Sequence, residues 1–411
     1  MQIYNLITLI IVLTAVFGYI NFRFIKLPAT IGIMLISLVV SLLVIAAGWM
    51  FPGVFVRITD VIKTIDFNTA LMKVMLAFLL FAGAIHIDVK QLKQESASII
   101  SFSTFGVIVS TFIIAALLFV VTKWFDVPID FIYCLLFGAL ISPTDPIAVL
   151  GILKKANIPP TLEMKISGES LFNDGVAVVV FIAIYEIIKV GYDNVSALQI
   201  GWLFLKEAGG GLLFGLLLGY IGFWALRSID NYVIEVLITL AIVMGGYGLA
   251  DYLHISGPLA MVVAGIVTGN KSLEHGTSDV TRDYINKFWE MLDEVLNAIL
   301  FLLIGFEMLI IPFNQNLFWL GCVTIVIVLL ARFISVALPI SVLRFGKAFE
   351  RNAIPILTWG GLRGGISVAL ALSLPKSSYS EVIVSITYIV VLFSIIVQGL
   401  TIGKFAKKLA T

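Results

Sequence analysis

Long apolar runs, separated by short polar stretches, repeat along the whole chain. Thirteen of them predict helices, over residues 4–22, 28–48, 68–86, 97–122, 129–153, 163–188, 202–226, 232–252, 256–270, 287–311, 316–342, 352–374 and 382–403. Most are close to the roughly 20 residues that span a bilayer core. The runs are continuous rather than alternating, which argues against a porin-type barrel. The pattern therefore predicts an all-α polytopic membrane protein with about 13 transmembrane helices. The lipid bilayer is its first partner. Nothing basic precedes Arg23, so the first run reads as a retained helix rather than a signal peptide.

The loops predict an orientation. With the N-terminus outside, seventeen of the 26 Lys and Arg fall on the cytosolic side, among them Lys154, Lys155, Arg344, Lys347 and Arg351. Five fall outside: Arg57, Lys63, Lys123, Lys189 and Lys376. Positive charge collects on the cytosolic face. The expectation is a plasma (inner) membrane protein, N-terminus outside and C-terminus cytosolic.

An odd helix count allows two six-helix repeats of opposite topology. The expected division is residues 1–188, a linking seventh segment at 189–230, and an inverted second repeat at 231–411. Inverted-repeat transporters break matching helices near mid-membrane. Pro143 and Pro146 interrupt the fifth segment, and Gly360-Gly361-Leu362-Arg363-Gly364-Gly365 interrupts the twelfth. Gly211, Gly215 and Gly219 in the seventh are spaced four apart and read as a packing face.

Composition adds little to this picture and contradicts none of it. Of 411 residues, 60% are hydrophobic and 12% charged, and mean hydropathy is +1.10. A formal net charge of +1 gives no electrostatic case for nucleic-acid binding. Cys134 and Cys322 sit in apolar runs, and His86, His254 and His275 have no metal-ligand spacing. Neither a cofactor nor an enzymatic activity is expected.

What does change the picture is charge inside the apolar runs. Ser142-Pro143-Thr144-Asp145-Pro146 lies in the fifth segment. Gly168-Glu169-Ser170-Leu171-Phe172-Asn173-Asp174-Gly175 lies in the sixth. Carboxylates at that depth are costly and mark ion or proton paths. Proline removes an N–H and clashes with the preceding turn, so the fifth helix should unwind around Thr144 and Asp145. Freed carbonyls and a carboxylate suit a hard monovalent cation. Glu169 and Asn173 share one face of the sixth helix, and Ser170 and Asp174 the adjoining face. A proton and a cation would compete for Asp174, which is sufficient for antiport.

Arg332 and Arg363 are fixed positive charges that could compensate Glu169 or offset half-helix ends. The sequence does not say which does what. A purely structural polar network is the competing reading, but it does not need three acids and two matched breaks. Glu290, Asp293, Glu294 and Asn297 lie at helical spacing near the start of the tenth segment. They read either as a cytoplasmic acidic funnel or as a solvated helix end.

The motifs of the fifth and sixth segments closely resemble those of NhaP-type sodium/proton antiporters, in the cation:proton antiporter branch that includes the sodium/hydrogen exchangers. Phe81-Ala82-Gly83 and Gly360 to Gly365 also resemble that family. The resemblance covers essentially the whole chain. It implies thirteen helices, a homodimer, a moving core of helices 4–6 and 11–13, and a role in pH homeostasis. It implies H+ and Na+, with Li+ or K+ as alternatives, as substrates, with Na+ held at Asp145 and Asp174 and with Thr144, Ser170, Glu169 and Asn173 nearby. Asn173-Asp174 resembles the electroneutral branch, so 1:1 exchange by alternating access is expected. The chain stops a few residues after the last segment, so regulation by a long tail is not expected. Two rival readings are a sodium-coupled symporter of an organic solute and an intramembrane aspartyl protease. The first lacks a substrate-specific set of groups. The second needs paired Asp sharing a proton and lacks its Gly-x-Gly-Asp signature.

Overall fold

The computed structural model describes residues 2–63, 66–145, 153, 158–191, 196–272, 279–311, 314–343, 349–350 and 352–410. Pro146, Lys154, Lys155, His275, Arg344, Lys347 and Arg351 lie outside the described residues. Among the described residues the regular structure is helical, without strands. The elements used below are α1 (Tyr4–Ile25), α2 (Ala29–Gly48), α3 (Pro52–Lys63) and α4 (Leu76–Ile85). They continue with α5 (Val89–Trp124), α6 (Phe131–Ile141), α7 (Pro160–Val190), α8 (Leu198–Arg227) and α9 (Tyr232–Tyr252). Then follow α10 (Gly257–Val267), α11 (Asp279–Glu307), α12 (Gln315–Leu343), α13 (Ala353–Gly360), α14 (Gly365–Leu372) and α15 (Ser378–Leu409).

Each predicted run carries helix among the described residues. Among the described residues, nine helices are long and apolar enough to cross a membrane, or ten with the bent pair α13–α14. Three helices begin five or more residues before their predicted starts. Asp88 caps α5, its side chain accepting from the Lys90 N–H at 2.7 Å. The polar turn that follows hides the helix from hydropathy. The same holds for α11, which begins at Asp279 instead of 287. The seventh predicted run is helical from Ala197 instead of 202. α3 was not predicted at all, because Arg57, Asp60 and Lys63 interrupt its apolar pattern. It is amphipathic and lays Phe55, Ile58 and Ile62 on a cluster around Phe17, Ile33 and Phe306.

Two larger hydrophobic clusters organise the rest. One joins α5, α6, α12, α14 and α15 through Ile114, Phe137, Val336, Val368 and Ile383. The other joins α4, α9, α10 and α11 through Phe81, Val243, Met261 and Trp289. α7 lies between them, with Leu171 in the second cluster and Val178 and Phe181 in the first. Lipid removes the hydrophobic drive for helix association, so close backbone approach matters more. The α8 glycines serve that purpose. A Cβ at Gly215 would lie 2.5 Å from the Ala260 carbonyl oxygen, and one at Gly211 2.6 Å from that of Ser256. Leu213, Leu216 and Leu217 on the other side of α8 are exposed, as a lipid-facing surface requires.

Candidate ion-binding site

α6 stops at Ile141 and the chain runs without helix through Pro143 and Thr144. On the opposite side, α13 and α14 are separated by Gly361 to Gly364 and bent by 46°. The two interruptions cross, and the Asp145 N–H donates to the Leu362 carbonyl at 2.8 Å. This contact is possible because position 364 has no side chain. A Cβ there would lie 2.2 Å from Asp145 Oδ2 and 2.6 Å from its Cβ.

The unwound carbonyls are not all free to meet a cation. Arg363, 2% exposed, donates from Nη1 to the Ser142 carbonyl and to the Pro143 carbonyl at 2.9 Å. Ser170 Oγ donates to the Thr144 carbonyl at 2.5 Å. A guanidinium is a ready partner for orphaned carbonyls, because its donors are fixed in a fork and always charged. Arg363 is itself held from behind. Its N–H donates to Ser394 Oγ at 2.9 Å, Ser394 donates to Gln398 Oε1 at 2.7 Å, and Gln398 Nε2 donates to the Trp359 carbonyl at 3.0 Å. Ser394 and Gln398 sit on a π-helical turn of α15, a distortion common at functional sites.

Arg332 takes the other role. It forms a two-pronged ion pair with Glu169, Nη1 to Oε1 and Nη2 to Oε2 at 3.0 Å. Its Nε and Nη2 also donate to the Leu357 carbonyl at 3.3 and 3.2 Å. The question left open between the two arginines is thus answered: Arg332 pairs with the acid and Arg363 holds the break.

The two polar faces of α7 diverge. Glu169 points to Arg332, and Asn173 clasps Thr144. Asn173 Nδ2 donates to Thr144 Oγ1 at 2.9 Å, and its Oδ1 accepts from the Thr144 N–H at 3.4 Å. Aspartate at 173 could not donate that first bond. Ser170 and Asp174, on the adjoining face, line a cavity of about 680 Å³ together with Pro143, Thr144, Asp145, Gly364 and Gly365. Of the six expected ion-binding residues, four reach the cavity, while Glu169 and Asn173 stand behind it.

The same cavity continues to a mouth bearing Asp88, Glu163, Glu290, Asp293 and Glu294. The α11 acids therefore share one cavity with the crossing. Sequence reasoning missed Ser394 and Gln398, although their spacing of four within an apolar run was a usable signal. It also missed Lys165. This residue is 1% exposed and donates to Glu350 at 2.9 Å, tying the start of α7 to the segment before α13. Among the described residues no group of three His, Cys, Asp or Glu could hold a resident metal.

Fold and site together define a polytopic helical transporter in which the end of α6 meets the break between α13 and α14 beside a carboxylate-lined cavity. Residues 11–408 match the family model described as sodium/hydrogen exchanger, transmembrane, and the chain belongs to that family. It is 49% identical to the Na+/H+ antiporter NhaP of Pseudomonas aeruginosa, over 98% of this chain and 96% of that one. It is 34% identical to the Na+/H+ antiporter NhaH of Halobacillus dabanensis, over 94% and 93%. The fold is similar to the solved structure of the sodium proton antiporter MjNhaP1 from Methanocaldococcus jannaschii. The TM-score is 0.79 at 21% identity, covering 100% of this chain and 99% of that one.

Proposed function

We propose that this chain is a secondary active antiporter exchanging Na+ for H+, one for one, by alternating access. The observation that carries the reading is the division of the three acids. Asp145 and Asp174 both line the cavity at the crossing, while Glu169 is neutralised by Arg332. Asp174 takes either a proton or the cation, and Asp145, Ser170 and Thr144 complete the oxygen set. Asn173 holds Thr144, Glu169 with Arg332 ties α7 to α12, and Arg363 with Gly364 and Gly365 keeps the break open. The printed names of the relatives support Na+ as the cation.

The acidic mouth lies where α5 and α7 begin, beside the middle of α11. That end carries the excess of loop Lys and Arg, so in this reading the cavity opens to the cytosol and the N-terminus is outside. Opposite topology of residues 1–188 and 231–411, a homodimer, a plasma-membrane location and a moving unit containing the two breaks belong to the same proposal. The chain acts as a transporter in pH homeostasis and carries out no covalent chemistry.

The test is a pH-gradient assay in proteoliposomes with Na+, Li+ and K+ added in turn. The wild type should move protons in response to Na+. Asp174→Asn, nearly isosteric but unable to release a proton, should move none while remaining folded. Exchange at the wild-type rate in that variant refutes the assignment. Clamping the potential with potassium and valinomycin tests the stoichiometry. About 100 mV is worth about 2.3 kcal/mol per net charge moved, so any shift of the equilibrium Na+ ratio with voltage excludes 1:1 exchange.

A further inference from the structure

The wall of the cavity opposite α7 contains two buried oxygens without a partner. Asn297 of α11 and Ser367 of α14 are each 1% exposed. Among the described residues, Asn297 Oδ1 and Ser367 Oγ have no hydrogen-bond partner. Both residues line the cavity that holds Asp145 and Asp174. Buried polar atoms are nearly always paired, so two orphans in one wall call for an explanation.

Each orphan has a local cause. Asn297 Nδ2 donates to the Asp293 carbonyl at 2.8 Å. Only a donor can face that carbonyl, so the amide oxygen is turned the other way. A buried helical serine ordinarily donates back to a carbonyl one turn earlier. α14 begins at Gly365, so Ser367 sits in the first turn and the residues before it lie in the break. The fold thus fixes two oxygens that point away from their own helices.

Their place follows from two close approaches. The Gly364 backbone touches Asp145, and the next residue, Gly365, touches Leu300 of α11, where a Cβ would lie 2.6 Å from Leu300 Cδ1. Asn297 is about one turn before Leu300 on the way to the mouth, and Asp293 about one turn further. Glu290 and Glu294 flank them on the cavity wall. The carboxylates of Glu290, Asp293 and Glu294 in the same lining exclude an anion. Amide, hydroxyl and carboxylate oxygens together are the ligand set of a hard cation.

We propose that the cavity holds a second cation station, built from Asn297 Oδ1, Ser367 Oγ and the Asp293 carboxylate. It takes a partly dehydrated monovalent cation between the mouth and the Asp145–Asp174 pair, and it rests on the sodium/proton reading above. Two stations in series let an ion exchange water for protein oxygens in steps, and a weak multi-site path allows it to leave again.

Binding of 22Na+ to the full-length protein, by scintillation proximity, separates the stations. Asp174→Asn disables the inner site and should retain weak 22Na+ binding. The double variant Asp174→Asn with Asn297→Ala should lose it. In the otherwise native protein, Asn297→Ala should raise the apparent KM for Na+ on the cavity side about tenfold, which is about 1.4 kcal/mol. Asn297→Asp, which keeps an oxygen there, should restore it. If the Asn297 variants fail to fold, Ser367→Ala takes their place in both measurements. Equal binding in the single and double variants, or an unchanged KM, overturns the station; a bound water in place of a cation gives that result. A wild type that exchanges no Na+ refutes the sodium/proton reading instead.

Discussion

Replacing Glu169 with Gln should destabilise this protein more than replacing Asp174 with Asn, and the difference can be sized from the site. Glu169 is 1% exposed and Arg332 5%. The pair is two-pronged, and the guanidinium also supports the Leu357 carbonyl of α13. Removing one partner of such a pair leaves a buried charge uncompensated, at about 3–5 kcal/mol. Unfolding entropy near 2.1 cal/mol/K per residue gives about 0.9 kcal/mol/K over 411 residues. The expected fall in Tm is therefore about 4–6 °C. Among the described residues Asp174 has no ion-pair partner to abandon. Asp174→Asn also removes a charge from a poorly hydrated place, so its Tm should stay within about 1–2 °C of wild type.

The assay is thermal unfolding of detergent-solubilised wild type, Glu169→Gln, Asp174→Asn, Arg332→Gln, and the double variant Glu169→Gln with Arg332→Gln. Contacting residues are not additive, and removing both charges leaves none stranded. The double variant should therefore lose less stability than the two single changes combined. Equal Tm values for Glu169→Gln and Asp174→Asn refute the structural role of the pair. They would instead place Glu169 on the ion as a direct ligand.

Two further outcomes follow from close contacts. Gly364→Ala should push Asp145 off its rotamer, because the added Cβ falls 2.2 Å from Asp145 Oδ2. That costs about 0.5–1.5 kcal/mol, read as about a two- to twelvefold rise in apparent KM for Na+, and an unchanged KM contradicts it. At the start of α7, burial alone would raise the Glu350 carboxyl, but the bonds from Thr161 and Lys165 outweigh it and hold the group below the usual carboxylate range. A depressed value means this tie is in place above about pH 4.3. It is lost as the pH falls through the lower folded value. Wild-type Tm should therefore drop on acidification below that range. Glu350→Gln should start lower and drop less, and parallel Tm profiles would count against it.

The order of the helices could be read from hydropathy because lipid demands long uniform runs. Their starts could not, because α5 and α11 each open with a polar turn that is helical and outside the apolar run. α3 escaped for a related reason: it buries only one face, and three charges on the other lower its average. The site was legible as far as cost made it so. Asp145, Glu169 and Asp174 stood out because charges are rare in such runs, and the proline and glycine breaks stood out because helices seldom tolerate them. Partnership was not legible. Arg332 and Arg363 are equivalent in sequence, and only the crossing shows that one lies beside Glu169 and the other beneath the Ser142 and Pro143 carbonyls. Lys165 and Glu350 are separated by 185 residues, and no local pattern joins them.

The fixed charges around the crossing suggest why a carrier of this design exchanges ions rather than leaking them. In the proposed reading, Glu169 and Arg332 cancel. Asp145, Asp174 and Arg363 remain, with a net charge of −1 when both acids are ionised. One Na+ or one proton brings that sum to zero, so the unit crosses the bilayer neutral with either cargo. Unloaded, it carries an uncompensated charge through a low-dielectric region, which is costly. Loading is therefore a condition for movement, and both cargoes meet that condition equally. Asn173 fits this account because it holds Thr144 in place with an amide that adds no charge. An aspartate there would leave the loaded unit at −1 and demand a further cation or proton in each cycle. The same sum explains why Arg363 belongs in the break: without its charge, one monovalent ion could not bring the crossing to neutrality.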